Sequence, residues 1–351
     1  MMRDAGHREK VELALALEMS ETTPVNNFSN ITATRSAGLK LADLRWDATL
    51  SAKVALRFSK MTRSDFVKPA LDNQALFLDV GVNVKQPNDN YGRVIEDLCK
   101  TPEDVDKLEL YDPFEPRECP RFTAAFVDKV AMVNKTMEED YVLCGFSWGP
   151  FSTAGYLRGV EALLMDTYQD PELIHKLVSK SAEWTGNIQR RFADAGATVF
   201  WMADPTASED MISKDMFKEF VYDSYAGMVQ EMKKGFDLPF FLHMCGDTVE
   251  TMTLLPELGV DCFSVDSKVD IGVAKKLIGD KIAIHGNVRP IKTILNGTPA
   301  EVTRESMACI EKAGLDGGFI LAPGCDAPRD SPDANLIAMG SAAVDFWKNR
   351  K

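Results

Sequence analysis

Leu238-Pro239-Phe240-Phe241-Leu242-His243-Met244-Cys245-Gly246-Asp247 is an apolar run that ends abruptly in metal-ligating residues. Read as a strand, it is buried, and its alternating side chains put His243 and Cys245 on one face. A third ligand of matching chemistry comes much later, Cys325 in Pro323-Gly324-Cys325-Asp326. One imidazole and two thiols is a zinc set. A zinc finger or ribbon gathers its ligands from close local pairs such as C-x2-C, so a distant third ligand argues against one. It points instead to a metal at the mouth of a large fold, with three protein ligands and an open fourth position, the pattern of a catalytic zinc. The same residues would also suit a closed structural zinc with a further ligand, or ordinary buried cysteines.

Outward from that stretch the chain alternates short apolar runs with amphipathic helical ones. The candidate strands are Pro24–Ser29, Ala75–Val80, Tyr141–Phe146, Thr198–Asp204, Pro239–Met244, Asp261–Asp266, Lys281–Gly286 and Gly317–Ala322. They are largely continuous in apolar residues, as parallel strands covered on both faces are. Helix starts lie between them. Thr298-Pro299-Ala300-Glu301 is a capping box with Pro at the first helical position, and Thr101-Pro102-Glu103-Asp104, Asp170-Pro171-Glu172 and Ser331-Pro332-Asp333 repeat the device. Gly235 would end a helix from Ser213 to Lys234. Eight strands with intervening helices predict an α/β fold, a (β/α)8 TIM barrel with an N-terminal helical extension, as a single domain over residues 1–351. The alternative is a doubly wound sheet, but no G-x-G-x-x-G follows the first strand.

Barrel active sites lie at the C-terminal ends of the strands. His243 and Cys245 end the fifth and Cys325 follows the eighth. Asn27 and Asn30 lie near the end of the first, Asp204 at the fourth, Asp266 at the sixth, and His285 and Asn287 at the seventh. Such convergence at one rim supports a site there.

The 351 residues are 45% hydrophobic and 26% charged, an ordinary globular composition. The formal net charge of −13 argues against nucleic acid or an anionic membrane as partner. No apolar run reaches the length of a membrane span, and Met1–Lys10 lacks the apolar core of a signal peptide. Seven cysteines without a disulfide rhythm fit a reducing cytoplasm.

The ligand types narrow the chemistry. Zinc held by two thiolates and a neutral imidazole is formally neutral and a poor activator of water. It suits binding a thiol and removing its proton, since a free thiol has a pKa of about 8.5 and is mostly protonated at neutral pH. The residues alone thus point to alkyl transfer to a thiol.

Several segments carry a family resemblance: Gly149-Pro150-Phe151-Ser152-Thr153-Ala154-Gly155-Tyr156, Asp204-Pro205-Thr206-Ala207-Ser208, Leu242–Thr248, Phe263-Ser264-Val265-Asp266, Gly286-Asn287-Val288-Arg289-Pro290 and Ile320–Cys325. The chain resembles the uroporphyrinogen decarboxylase superfamily, and within it the methylcobamide:coenzyme M methyltransferases, whose zinc ligands a His-x-Cys pair and a late Cys would be. The resemblance implies a (β/α)8 barrel and a zinc-dependent methyl transfer. The methyl would pass from a methylcobamide, carried by a small corrinoid protein, to a small thiol, coenzyme M first. Other acceptors or donors, such as tetrahydrofolate or a methylated substrate demethylated onto the corrinoid, stay open. So does a non-catalytic partner of the corrinoid protein. Decarboxylation is disfavoured, because the family's arginine-rich N-terminal segment corresponds to Asn27–Arg35, with one arginine.

Around the triad, Asp266 is either a displaceable fourth ligand or the cap of its own loop. Asp204 would orient the acceptor or hold His243, or cap the turn before Pro205, and Asp247 offers a similar choice. Tyr156 sits where the superfamily has a pocket tyrosine, or serves in packing, and Asn287 would shape the Gly286-Asn287 turn. His7 reads as a mobile group, His175 as a surface group within a helix and His285 as a satisfied histidine. Cys99, Cys119, Cys144, Cys262 and Cys309 read as ordinary thiols, and the sixteen methionines as adaptable packing.

Overall fold

The computed structural model describes residues 5–27, 29–114, 121–348 and 350. Cys119 and Phe28 lie outside them. Six parallel strands form one sheet, hydrogen-bonded in the order Ser147–Trp148, Phe200–Ala203, Phe240–Met244, Cys262–Val265, Ala283–Val288 and Phe319–Pro323. Shorter staves close it into a barrel. Val25 bridges to Leu321, with Asn26 N donating to Leu321 O (2.9 Å) and Leu321 N to Pro24 O (2.8 Å). Asp65 N then donates to Val25 O (2.7 Å), and Phe66–Val67 pairs in parallel with Val142–Leu143. Thr198 N donates to Leu143 O (2.8 Å) and Cys144 bridges to Val199, which completes the ring. The fold is a (β/α)8 TIM barrel, and the helix His7–Leu15 packs against it as an N-terminal extension.

One strand expectation fails. Ala75–Val80 is a 3-10 helix ending at Gly81 (φ 91°), and the second stave is Phe66–Val67. Its apolar residues Ala75, Leu76 and Phe77 are consecutive because one helical turn is buried whole, not because a strand is covered on both faces. The true stave is short: Pro69, two residues beyond it, has no N–H to continue a ladder.

The strands read as continuous apolar runs because one face packs inside the barrel and the other against helices. Inside, Trp201 stacks on Phe241 (centroids 5.1 Å apart) and Phe66 meets both edge-on. The interior is therefore a packed core. Thr298, Asp170 and Thr101 each accept a backbone N–H at the N-cap of their helices, as their sequence pattern predicts. The predicted Ser213–Lys234 helix is continuous but contains a π turn over Lys218–Tyr222. Among the described residues no helix is long and apolar enough to cross a membrane.

Candidate metal centre

His243 ends the Phe240–Met244 strand and Cys245 follows it, while Cys325 lies two residues past Phe319–Pro323. The chain turns just after Cys245 at Gly246, which takes φ 84°, a conformation that suits a residue without Cβ. A Cβ there would also collide with Asp210. Gly324 positions Cys325 by close approach: its N–H donates to Val288 O (2.9 Å), and a Cβ would lie 2.5 Å from Ser267 N.

The three donors converge. His243 Nε2 is 3.2 Å from Cys245 Sγ, Cys245 Sγ is 3.5 Å from Cys325 Sγ, and all three ligand atoms lie within 4.8 Å of one another. Among the described residues this is the one such group of His, Cys, Asp or Glu. His243 is buried and both thiols are partly buried.

The electrostatics ask for a cation. Cys245 stabilises Cys325 as a thiolate and His243 adds to the effect, so Cys325 is pushed far below the usual thiol range. Cys325 and burial push Cys245 the other way. The pair thus sheds one proton easily and resists losing the second until positive charge arrives between the sulfurs. Burial alone would depress His243, but Cys325, the Ser264 carbonyl and Asp266 outweigh it and raise its pKa. Two sulfurs and one imidazole nitrogen within reach of one point fit zinc.

Ser264 holds His243, a role its sequence gave no sign of. His243 Nδ1 lies 3.0 Å from both the carbonyl and the hydroxyl oxygen of Ser264. His285 Nδ1 lies 2.9 Å from the same hydroxyl, and burial followed by the His243 charge pushes His285 down to about 3, so it stays neutral.

The other expected residues take other places. Asp204 is buried with its carboxylate on Phe151 N (3.0 Å), Ser152 N (2.7 Å) and the Tyr225 hydroxyl (2.9 Å). It caps the helix Pro150–Arg158, and Ser264 stands where the sequence suggested Asp204 beside His243. Asp266 lies outside the ligand group and accepts from Lys268 N (2.8 Å), although its charge reaches His243 and Cys245. Asp247 accepts from Val249 N (3.2 Å) within its own loop. Asn287 ties down the loop after the sixth barrel strand, donating to Asp266 O (3.1 Å) and Val269 O (2.7 Å). Tyr156 is within electrostatic reach of Cys245, and its ring stands 5.2 Å from Trp148 and 4.9 Å from Phe77. His7 is no loose surface group: it lies 2.7 Å from Asp65 and 3.1 Å from Glu139, on the opposite end of the barrel.

Lys68 and Asp326 were missed altogether. Lys68 follows the Phe66–Val67 stave at its C-terminal end, and its ammonium sits 4.4 Å from the centre of the Phe146 ring. Asp326 follows Cys325; enclosure pushes its carboxyl up to about 6, and it accepts from the Tyr91 hydroxyl (2.8 Å). In sequence, Lys68 was hidden by the misplaced second strand.

A TIM barrel with an imidazole and two thiols converging at the C-terminal ends of its strands defines the class. The chain belongs to the uroporphyrinogen decarboxylase (URO-D) family, whose model matches residues 7–346. It is 31% identical over 189 residues to a methylated-thiol–coenzyme M methyltransferase of Methanosarcina mazei, a match covering 54% of this chain and about half (49%) of that one. It is 28% identical over 254 residues to a methylcobamide:CoM methyltransferase of Methanosarcina acetivorans, covering 72% of this chain and 71% of the relative. A solved methyltransferase from Methanosarcina mazei superposes with a TM-score of 0.86 at 20% identity over 97% of this chain and 99% of that one, a likeness of fold.

Proposed function

We propose that this chain transfers a methyl group from a methylcobamide carried by a small corrinoid protein to a small thiol, with coenzyme M as the first acceptor to test. The carrying observation is the convergence of His243 Nε2, Cys245 Sγ and Cys325 Sγ at the barrel mouth. Relatives named as methylcobamide:CoM and methylated-thiol–coenzyme M methyltransferases support it.

His243, Cys245 and Cys325 would hold zinc, which when bound lowers the pKa of an acceptor thiol while the two thiolates keep that sulfur electron-rich. The chain supplies the rest. Ser264 fixes the imidazole so that Nε2 faces the sulfurs. Phe146, Trp148 and Tyr156 form an aromatic run at the same end of the barrel that would limit water beside the sulfur. Overall, a sulfur–carbon bond forms as the cobalt–carbon bond breaks. The electron pair of the broken bond would stay with the donor corrinoid, which would be left in its reduced, demethylated form, and the thiol proton would leave to solvent.

Decarboxylation of a polycarboxylate has less support. Arg35, the single arginine of the segment Asn27–Arg35, donates to Arg329 O (3.1 Å) and pairs with Asp333 (2.9 Å), so its charge is already used in the loop after the last strand.

The test is incubation of the zinc-loaded protein with methylcobalamin and coenzyme M, following the cobalamin spectrum and the methylated thiol. Zinc-dependent loss of methylcobalamin with matching formation of methyl-coenzyme M is expected, abolished in Cys245→Ala. Full activity of Cys245→Ala would sink the reading. Transfer to tetrahydrofolate alone would move the acceptor assignment.

A further inference from the structure

Lys68 is a cation within electrostatic reach of a ligand of the metal centre, Cys325. Lys68 sits at the C-terminal end of the second stave, on the same face of the barrel as the ligands. Its position is fixed from both sides: Cys144 N donates to Val67 O (3.2 Å) just before it, and Pro69 stiffens the chain just after it. Its ammonium stands 4.4 Å from the Phe146 ring centre, and that ring meets Trp148 edge-to-face (5.3 Å), which in turn meets Tyr156 at a tilt (5.2 Å). Tyr156 is in turn within electrostatic reach of Cys245, and Lys68 within reach of Cys325 and Asp326. The cation, the aromatic run and the sulfur ligands therefore share the C-terminal end of the barrel, within electrostatic reach of one another.

On the reading of the site given above, we propose that Lys68 is the specificity-determining residue for the acceptor, receiving the acidic end of a short anionic thiol whose sulfur enters the His243–Cys245–Cys325 centre. An ammonium is a compact charge with three donors, suited to a sulfonate or carboxylate. Aromatic walls lower the local dielectric and strengthen the attraction relative to water. Asp326 opposes part of the Lys68 charge, and one of its oxygens accepts from the Tyr91 hydroxyl at 2.8 Å. Burial pulls the Lys68 pKa down while Asp326, Cys144 and Cys325 hold it up.

The experiment compares binding of 2-mercaptoethanesulfonate, 2-mercaptoethanol and cysteamine to the zinc-loaded protein by titration calorimetry, with methyl transfer from methylcobalamin measured in parallel. The expected order is anionic above neutral above cationic. Lys68→Met should weaken the sulfonate by about tenfold or more, the scale of one charge-assisted contact, and leave 2-mercaptoethanol nearly unchanged. Lys68→Arg should recover much of the preference, and equal zinc content in both variants checks that the fold is intact. No charge preference in the native protein, or an equal loss for all three thiols in Lys68→Met, overturns the assignment. A charge preference that depends on Lys68 but comes without methyl transfer leaves the assignment standing and sinks the methyltransferase reading alone.

Discussion

The carbonyl oxygen and the hydroxyl of Ser264 both lie 3.0 Å from Nδ1 of His243. A carbonyl can only accept, so Nδ1 carries the proton and the lone pair of His243 is on Nε2, the atom that faces Cys245. The Ser264 hydroxyl is then free to donate its own proton to Nδ1 of His285 at 2.9 Å. Metal-binding histidines are commonly held this way, and loss of such a partner typically costs 10- to 100-fold in metal affinity. Ser264→Ala keeps the carbonyl, so the expected loss in zinc affinity is at the low end, about tenfold. Competition against a chelator of known affinity measures it. Unchanged affinity would mean the carbonyl alone fixes the ring.

Metal uptake should depend on pH, with a sign the site dictates. Cys245 is raised, so its proton must be displaced at any pH near neutral. His243 is also raised above its ordinary value, so as pH falls through that value an imidazolium competes as well. Cys325 is lowered and adds nothing until strongly acid conditions. Apparent zinc affinity should therefore rise roughly tenfold per pH unit above the raised His243 value and more steeply below it, as one and then two protons are released. Chelator competition across that range is the measurement, and a flat profile would contradict the assigned protonation states.

Gly324 offers a test of how rigidly Cys325 is placed. A Cβ at this position would lie 2.5 Å from Ser267 N and 2.8 Å from Ser267 Cβ. Neither is the far end of a flexible side chain, so the loop carrying Cys325 must shift. Gly324→Ala should cut zinc stoichiometry sharply while the far-ultraviolet spectrum stays native. Full zinc occupancy would show that the loop moves without cost.

The strand ends at 243–245 and 325 were legible because three unlike signals coincided there: an apolar run, a ligand type and a distance between ligands. The caps at Thr298, Asp170 and Thr101 were legible because a cap is settled by four adjacent residues. The second stave was not. Only Phe66 and Val67 pair in parallel with their neighbour, too few for a periodic pattern, whereas the buried turn Ala75–Val80 offers a longer apolar run. Ser264 and Lys68 act through tertiary neighbours, and nothing in their local sequence marks a hydroxyl beside an imidazole or an ammonium over a ring. The role of Asp204 was ambiguous for the same reason, since its partners Phe151, Ser152 and Tyr225 come from two other segments.

Those partners decide what Asp204 should do when changed. Its carboxylate accepts two N–H groups at the start of the helix Pro150–Arg158 and the hydroxyl of buried Tyr225, and no solvent reaches it. Asp204→Ala strands all three donors. Each buried donor left without a partner costs about 1–3 kcal/mol, less whatever local relaxation recovers, so a net loss of roughly 2–4 kcal/mol is expected. That corresponds to a fall of roughly 3–5 °C in Tm. Asp204→Asn keeps one oxygen acceptor and should lose about half as much. Zinc content should stay native in both, because the carboxylate does not touch His243. Thermal unfolding and metal analysis of the two variants separate the alternatives. A native Tm together with weakened thiol binding would return Asp204 to the acceptor, whereas lowered Tm with intact zinc assigns it to holding the helix that carries Tyr156.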